Sequence, residues 1–201
     1  MKPNDSIAKS VESIIRNNRY YNTLFFDADI EKYVKIVNRH VNRKNIDGVH
    51  LFRDFGPILL VDMFKLIYPM IPDHLKFKTV VRVYSLAAQD WANLKDELVD
   101  AKKFRADNHI APLREKVSNN NTFTIYRGVA NYKEINPHLS LSWTIDEEIA
   151  KSYARIIQKS KVGYVYSATI NIDDVIAYVT DRYENEVIQY NGVYDIKVSK
   201  V

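Results

Sequence analysis

The chain has 201 residues, 46% of them hydrophobic and 27% charged, with 29 Lys/Arg, 25 Asp/Glu and no cysteine. This is an ordinary globular composition, long enough for a proper core, and the missing cysteines exclude disulfide scaffolds, thiol nucleophiles and cysteine-ligated metal centres. The net charge of +4 is uneven, with 20 basic and 15 acidic side chains in the first 119 residues and 9 and 10 in the remainder; a modestly basic front half suits an acidic partner or nucleic acid, or a solvated helical surface.

The opening Met1-Lys2-Pro3-Asn4-Asp5-Ser6 leads into a charged amphipathic segment, so no signal peptide is expected and the chain reads as cytoplasmic. Ile7, Val11, Ile14 and Ile15 fall at helical spacing, with Asp5 or Ser6 as N-cap. Asp29 is the candidate cap of a second helix bearing Ile30, Tyr33, Val34, Val37 and Val41 on one face. Asp47-Gly48 reads as a turn, and Pro57 opens a strongly apolar helix that stops before Pro69. It holds Asp62 and Lys65 and is too short to span a bilayer. Residues 76–86 suit strand or helix; helix is preferred because Leu94, Leu98, Val99 and Ala101 continue the helical spacing. Residues 108–121 are polar, carry Pro112 and read as a linker.

Beyond the linker the texture changes. β-type runs are expected at 122–129, 139–144, 163–170, 175–179, 186–189 and 193–198, with a helix over 146–159. Asn191-Gly192 predicts a hairpin. The fold class is therefore α+β, a helical N-terminal region over 1–119 and a mainly β region over 120–201.

Three places in the β region carry polar residues that packing alone does not require. Arg127 sits inside the apolar run Ile125-Tyr126-Arg127-Gly128-Val129, where a guanidinium needs a partner or a cleft. It fits a structural ion pair first, and also a phosphate beside the close approach that Gly128 permits. Ser142-Trp143-Thr144 precedes an acidic helix start; Thr144 fits an N-cap and Trp143 a core residue. Glu184 and Glu186 stand two apart at the mouth of a strand, where alternation puts both on one face. A solvated edge is the plain explanation for such a pair, and a catalytic site the sharper one. The five histidines show no metal-ligand spacing, and five glycines leave no phosphate loop.

Arginine, then Ser-x-Thr, then Glu-x-Glu, with a helix through Ala150-Lys151-Ser152-Tyr153-Ala154 between the last two, resembles the mono-ADP-ribosyltransferase family in its arginine–serine–glutamate class. The likeness covers about 122–201 and implies a transferase-like split β-sandwich that takes NAD as substrate and passes ADP-ribose to a macromolecule, foremost a protein arginine. By the same resemblance Glu186 would stabilise the oxocarbenium-like ribose and Glu184 would deprotonate the acceptor. Arg127 would hold the NAD phosphates, the Gly128 backbone the nicotinamide amide, Ser142 the ribose, and Thr144 the strand. Tyr153 or Tyr183 would flank the nicotinamide or the target. The basic front half is the candidate for target recognition, with a nucleic-acid-associated target compatible with its charge. The competing expectations are a non-catalytic nucleic-acid- or protein-binding module and an NAD glycohydrolase toxin. Trp143 departs from the small residue usual in the serine motif, and Ser140 replaces a common aromatic.

Overall fold

The computed structural model describes residues 3–18, 27–43, 46–87, 91–130, 136–156, 163–180 and 184–201. The chain divides into two compact units, Met1–Phe104 and Arg105–Val201.

The first unit is helical: α1 (Pro3–Asn17), α2 (Asp27–Asn42), α3 (Gly48–Ile67), α4 (Asp73–Leu86) and α5 (Lys95–Ala101). Both N-terminal helices start earlier than their expected caps, so Asp5, Ser6 and Asp29 lie inside first turns. Asp47 is no turn residue but the N-cap of α3, its carboxylate accepting from the Val49 N–H at 2.7 Å. Gly56 (φ 64°, ψ 176°) interrupts α3, and Pro57 restarts it with a φ suited to a first helical turn. The ambiguous 76–86 segment is helical, within α4. Buried side chains include Val11, Val37, Phe55, Phe64, Val83 and Leu98, whereas Val99 is exposed. No helix among the described residues is long and apolar enough to cross a membrane.

The second unit is built on a six-stranded antiparallel sheet, β1 (Thr122–Val129), β2 (Ser142–Thr144), β3 (Tyr164–Asn171), β4 (Ala177–Val179), β5 (Glu186–Ile188) and β6 (Val193–Lys200), in the order β4-β5-β2-β1-β3-β6. The α+β class therefore holds. The segment expected as a linker contains α6 (Ala111–Lys116), and Ile110 and Leu113 are buried in the sheet's main core with Ile125, Trp143, Val187 and Val193. Arg105 donates to the carbonyls of Val175 and Ile176. The division thus falls after Phe104, not at 119, because this segment packs on the sheet.

Asn191-Gly192 makes no β5–β6 hairpin. Both edges of β5 are taken, by β2 and β4, and β6 pairs with β3 at the other end of the sheet. Asn191 adopts φ 58°, and a Cβ on Gly192 would lie 2.7 Å from that of Asp174, so the dipeptide serves a tight turn against the preceding segment. Four strand spacings, about 19 Å, separate β5 from β6 along a flat sheet. The five Cα steps from Ile188 to Val193 reach at most about 18 Å fully extended, so the sheet has to curl. The thinnest seam in the sheet is the one between β1 and β2, which share a single ladder pair, Tyr126 with Thr144. Val187 of β5 and Val193 of β6 accordingly meet in one apolar cluster.

The opposite face of β1 is covered by α7 (Glu147–Ile156), whose Ala150 and Ala154 are buried with Val165 and pack beside Tyr126. Asp146 caps this helix, accepting from Glu148 at 2.9 Å and Ile149 at 3.3 Å. The cap is therefore Asp146 and not Thr144.

Candidate active site

The strand order brings the three polar motifs onto three neighbouring strands, β1, β2 and β5. Tyr126, Thr144 and Glu186 are successive register partners and share the sheet face that α7 covers. Ser142, paired with Ile188, points to that same face two residues along. Glu186 is only 6% exposed and stands between Thr144 and Val179 in the ladder. A carboxylate so enclosed is oriented by its strand, with little freedom to turn to solvent.

Arg127 leaves β1 on the other face, that of Ile125, Val129 and Trp143. Its guanidinium nevertheless returns to the seam, where Nη1 donates to the Ser142 carbonyl. The arginine therefore bridges β1 and β2 where the ladder stops, and it is partly buried there. Gly128 has a different explanation from the expected ligand approach. A Cβ there would come within 2.0 Å of the Ala150 carbonyl oxygen and 2.6 Å of the Ala154 nitrogen, so the glycine makes room for the backbone of α7.

Glu184 does not sit beside Glu186 in the pleat. Strand β5 begins at Glu186, and Asn185 between the two carboxylates has φ 47°, a left-handed conformation that asparagine tolerates better than most residues. Glu184 therefore lies outside the ladder and is placed by hydrogen bonds, and its bond to Tyr153 turns its carboxylate toward α7, the side that Glu186 also faces. Its backbone carbonyl accepts from the Thr144 hydroxyl at 2.6 Å, and its carboxylate accepts from the Tyr153 hydroxyl of α7. The Thr144 oxygen in turn accepts from the Asp146 N–H at 3.0 Å, joining the start of α7 to the carboxylate turn. Tyr153 is thus a partner of Glu184, and Tyr183 lies outside the described residues.

Trp143 is core, 2% exposed, its indole N–H donating to the Ser140 carbonyl at 2.9 Å. Sequence reasoning missed three residues that hold the turn from behind. The Asn185 side-chain oxygen accepts from Lys116 Nζ at 2.6 Å and from the Tyr178 hydroxyl at 2.8 Å. An asparagine at a strand mouth was the available signal; its two donors come from α6 and β4 and leave none.

The assembly offers a buried carboxylate flanked by hydroxyls, a second carboxylate held by a phenol, and a guanidinium at a seam between strands. Such a set can bind a polar substrate and stabilise developing positive charge. Among the described residues no group of His, Cys, Asp or Glu could hold a metal ion. Compared with family models, curated proteins and solved structures, the chain matches none.

Proposed function

We propose that the chain is an NAD-dependent mono-ADP-ribosyltransferase acting on a macromolecular acceptor, a protein arginine first. The observation that carries this reading is the adjacency of the strands bearing Arg127, Ser142 and Glu186, with Glu186 and Thr144 in register. It joins three motifs that are dispersed over some sixty residues of sequence, and it suits the fold the resemblance implies, a transferase-like split β-sandwich.

In the reaction the bond between the ribose anomeric carbon and the nicotinamide nitrogen breaks, its electron pair leaving with nicotinamide. The acceptor nitrogen forms the new bond to that carbon and loses a proton. Glu186, buried and ladder-held, stabilises the oxocarbenium-like ribose and engages its hydroxyl, as carboxylates do in glycoside cleavage. Ser142 on the same face holds the ribose, and Thr144 fixes both the strand and the carboxylate turn. Arg127 meets the pyrophosphate at the β1–β2 seam, its planar fork suited to two phosphate oxygens. Glu184 takes the acceptor proton, with Tyr153 holding its carboxylate. The enzyme works on the cytoplasmic NAD pool.

The test is incubation of the protein with NAD labelled on its adenylate part and a cell lysate, reading nicotinamide release and label on macromolecules. Glu186→Gln is expected to lower both by about a thousandfold, the scale of losing transition-state charge stabilisation. Nicotinamide release without labelling indicates a glycohydrolase. Equal inertness of wild type and variant, with retained binding to a macromolecule, indicates a binding module and sinks the proposal.

A further inference from the structure

The carboxylate turn is gripped from the side away from α7. Asn185 holds a left-handed φ of 47°, and its side-chain oxygen receives two donors, Lys116 Nζ at 2.6 Å and the Tyr178 hydroxyl at 2.8 Å. Lys116 Nζ also stands 5.9 Å from the centre of the Tyr178 ring, so the two donors brace each other. Neither residue belongs to the motifs of the proposed site; one ends α6 and the other is in the middle of β4.

The grip acts unequally on the two glutamates. Glu186 is fixed by its ladder partners Thr144 and Val179. Glu184 precedes the strand, and its position depends on the turn at Asn185 together with the bonds to Thr144 and Tyr153. The Asn185 carbonyl accepts from the Ile145 N–H at 3.3 Å, which fastens the far side of the same turn. A loosened turn would therefore move Glu184 and leave Glu186 in place.

We infer that Lys116, Tyr178 and Asn185 form a clamp that positions Glu184 for acceptor deprotonation and so sets the ratio of ADP-ribose transfer to NAD hydrolysis. The inference rests on the transferase reading above. Lys116 and Tyr178 are positioning residues, acting on Glu184 through the backbone of Asn185. With the clamp intact the acceptor meets a base at a fixed place. With it open the oxocarbenium-like ribose still forms at Glu186, and water takes the acceptor's position.

The experiment measures nicotinamide release and label transfer side by side for wild type, Lys116→Met, Tyr178→Phe, Asn185→Gly and Asn185→Asp. Lys116 is exposed, so its replacement leaves the fold intact. Transfer is expected to fall about tenfold in Lys116→Met, as for loss of one charge-assisted hydrogen bond, with cleavage and the KM for NAD unchanged. Tyr178→Phe should show a smaller fall of the same kind. Asn185→Gly keeps the left-handed backbone and loses the acceptor oxygen, so it should match Lys116→Met; Asn185→Asp keeps both and should retain wild-type transfer. If wild type transfers ADP-ribose and the transfer-to-hydrolysis ratio is the same in Lys116→Met and Asn185→Gly, the clamp inference is wrong and the transferase reading stands. A parallel loss of transfer, cleavage and melting temperature also overturns it, as a purely structural role. An inert wild type overturns both readings.

Discussion

Gly128→Ala separates two accounts of the same glycine, one in which a ligand needs the space and one in which a helix already fills it. A Cβ at 128 would lie 2.0 Å from the Ala150 carbonyl oxygen and 2.6 Å from the Ala154 nitrogen, both backbone atoms of α7. Restoring a normal separation of ~3.5 Å requires the helix to retreat by about 1.5 Å. No side-chain rotation relieves the contact. Overpacking costs about 1–3 kcal/mol in general, and backbone obstacles put this case at the upper end, about 3 kcal/mol. For a unit near 100 residues that is a fall of about 12–24 °C in melting temperature. The assay is thermal unfolding followed by Trp143 fluorescence in a Trp91→Phe background. Adding Ala154→Gly should not rescue the variant, because the clash is with the nitrogen of residue 154 and not with its methyl group. A Gly128→Ala protein melting within about 2 °C of its parent refutes the packing argument.

Glu186→Gln should lose NAD cleavage by about a thousandfold at unchanged stability, checked by nicotinamide release and by melting. Lys116→Met should lose transfer by about tenfold while cleavage persists, read as the ratio of label transferred to nicotinamide released. Gly56→Ala should cost about 1–3 kcal/mol although nothing lies within 4 Å of the added Cβ, since φ 64° with ψ 176° is a glycine conformation; urea unfolding of the helical unit measures it, and no change would refute the strain. Burial, more than offsetting its hydrogen bond to Asp54, holds the His40 imidazole below its ordinary pKa of 6.5. The folded helical unit then resists the proton that the unfolded chain accepts, so its stability is full above that value and falls as pH drops below it. Urea midpoints at pH 7.5 and 5.0 should show this decline and His40→Gln should flatten it, and equal midpoints for the wild type would count against it.

The elements were largely legible and their arrangement was not. Ile7, Val11, Ile14 and Ile15 announce a helix because burial on one side imposes a 3.6-residue period. The β-branched runs around Ile125 and Val165 announce strands for the corresponding reason. The six residues of α6 are too few for a period to show, so a segment with Pro112 and a run of asparagines looked like a linker although Ile110 and Leu113 are core. Asn191-Gly192 carried a true turn signal, but which strands it joins is decided by the partners β5 already has. In the candidate site, Arg127, Ser142, Thr144 and Glu186 could be named from motif order. Local spacing could not reveal that Asn185 turns left-handed and removes Glu184 from the pleat. Nor could it reveal Lys116, which meets Asn185 from 69 positions away.

The sheet order also has a kinetic side. Thr144 of β2 pairs with Tyr126 of β1, 18 residues earlier, and with Glu186 of β5, 42 residues later, while β6 closes on β3 across the far edge. The β1–β3 and β2–β5 pairings bridge similar separations, so each must meet its loop-closure entropy before any contact rewards it, and the order of synthesis separates them. The β1–β3 ladder, with its eight register pairs, can form as soon as Asn171 has been synthesised. The three-residue ladder that seats Glu186 beside Thr144 needs chain that comes after it. Arg127 and Ser142 are therefore in hand before the carboxylate arrives, and the proposed transferase site is incomplete until β5 is in place.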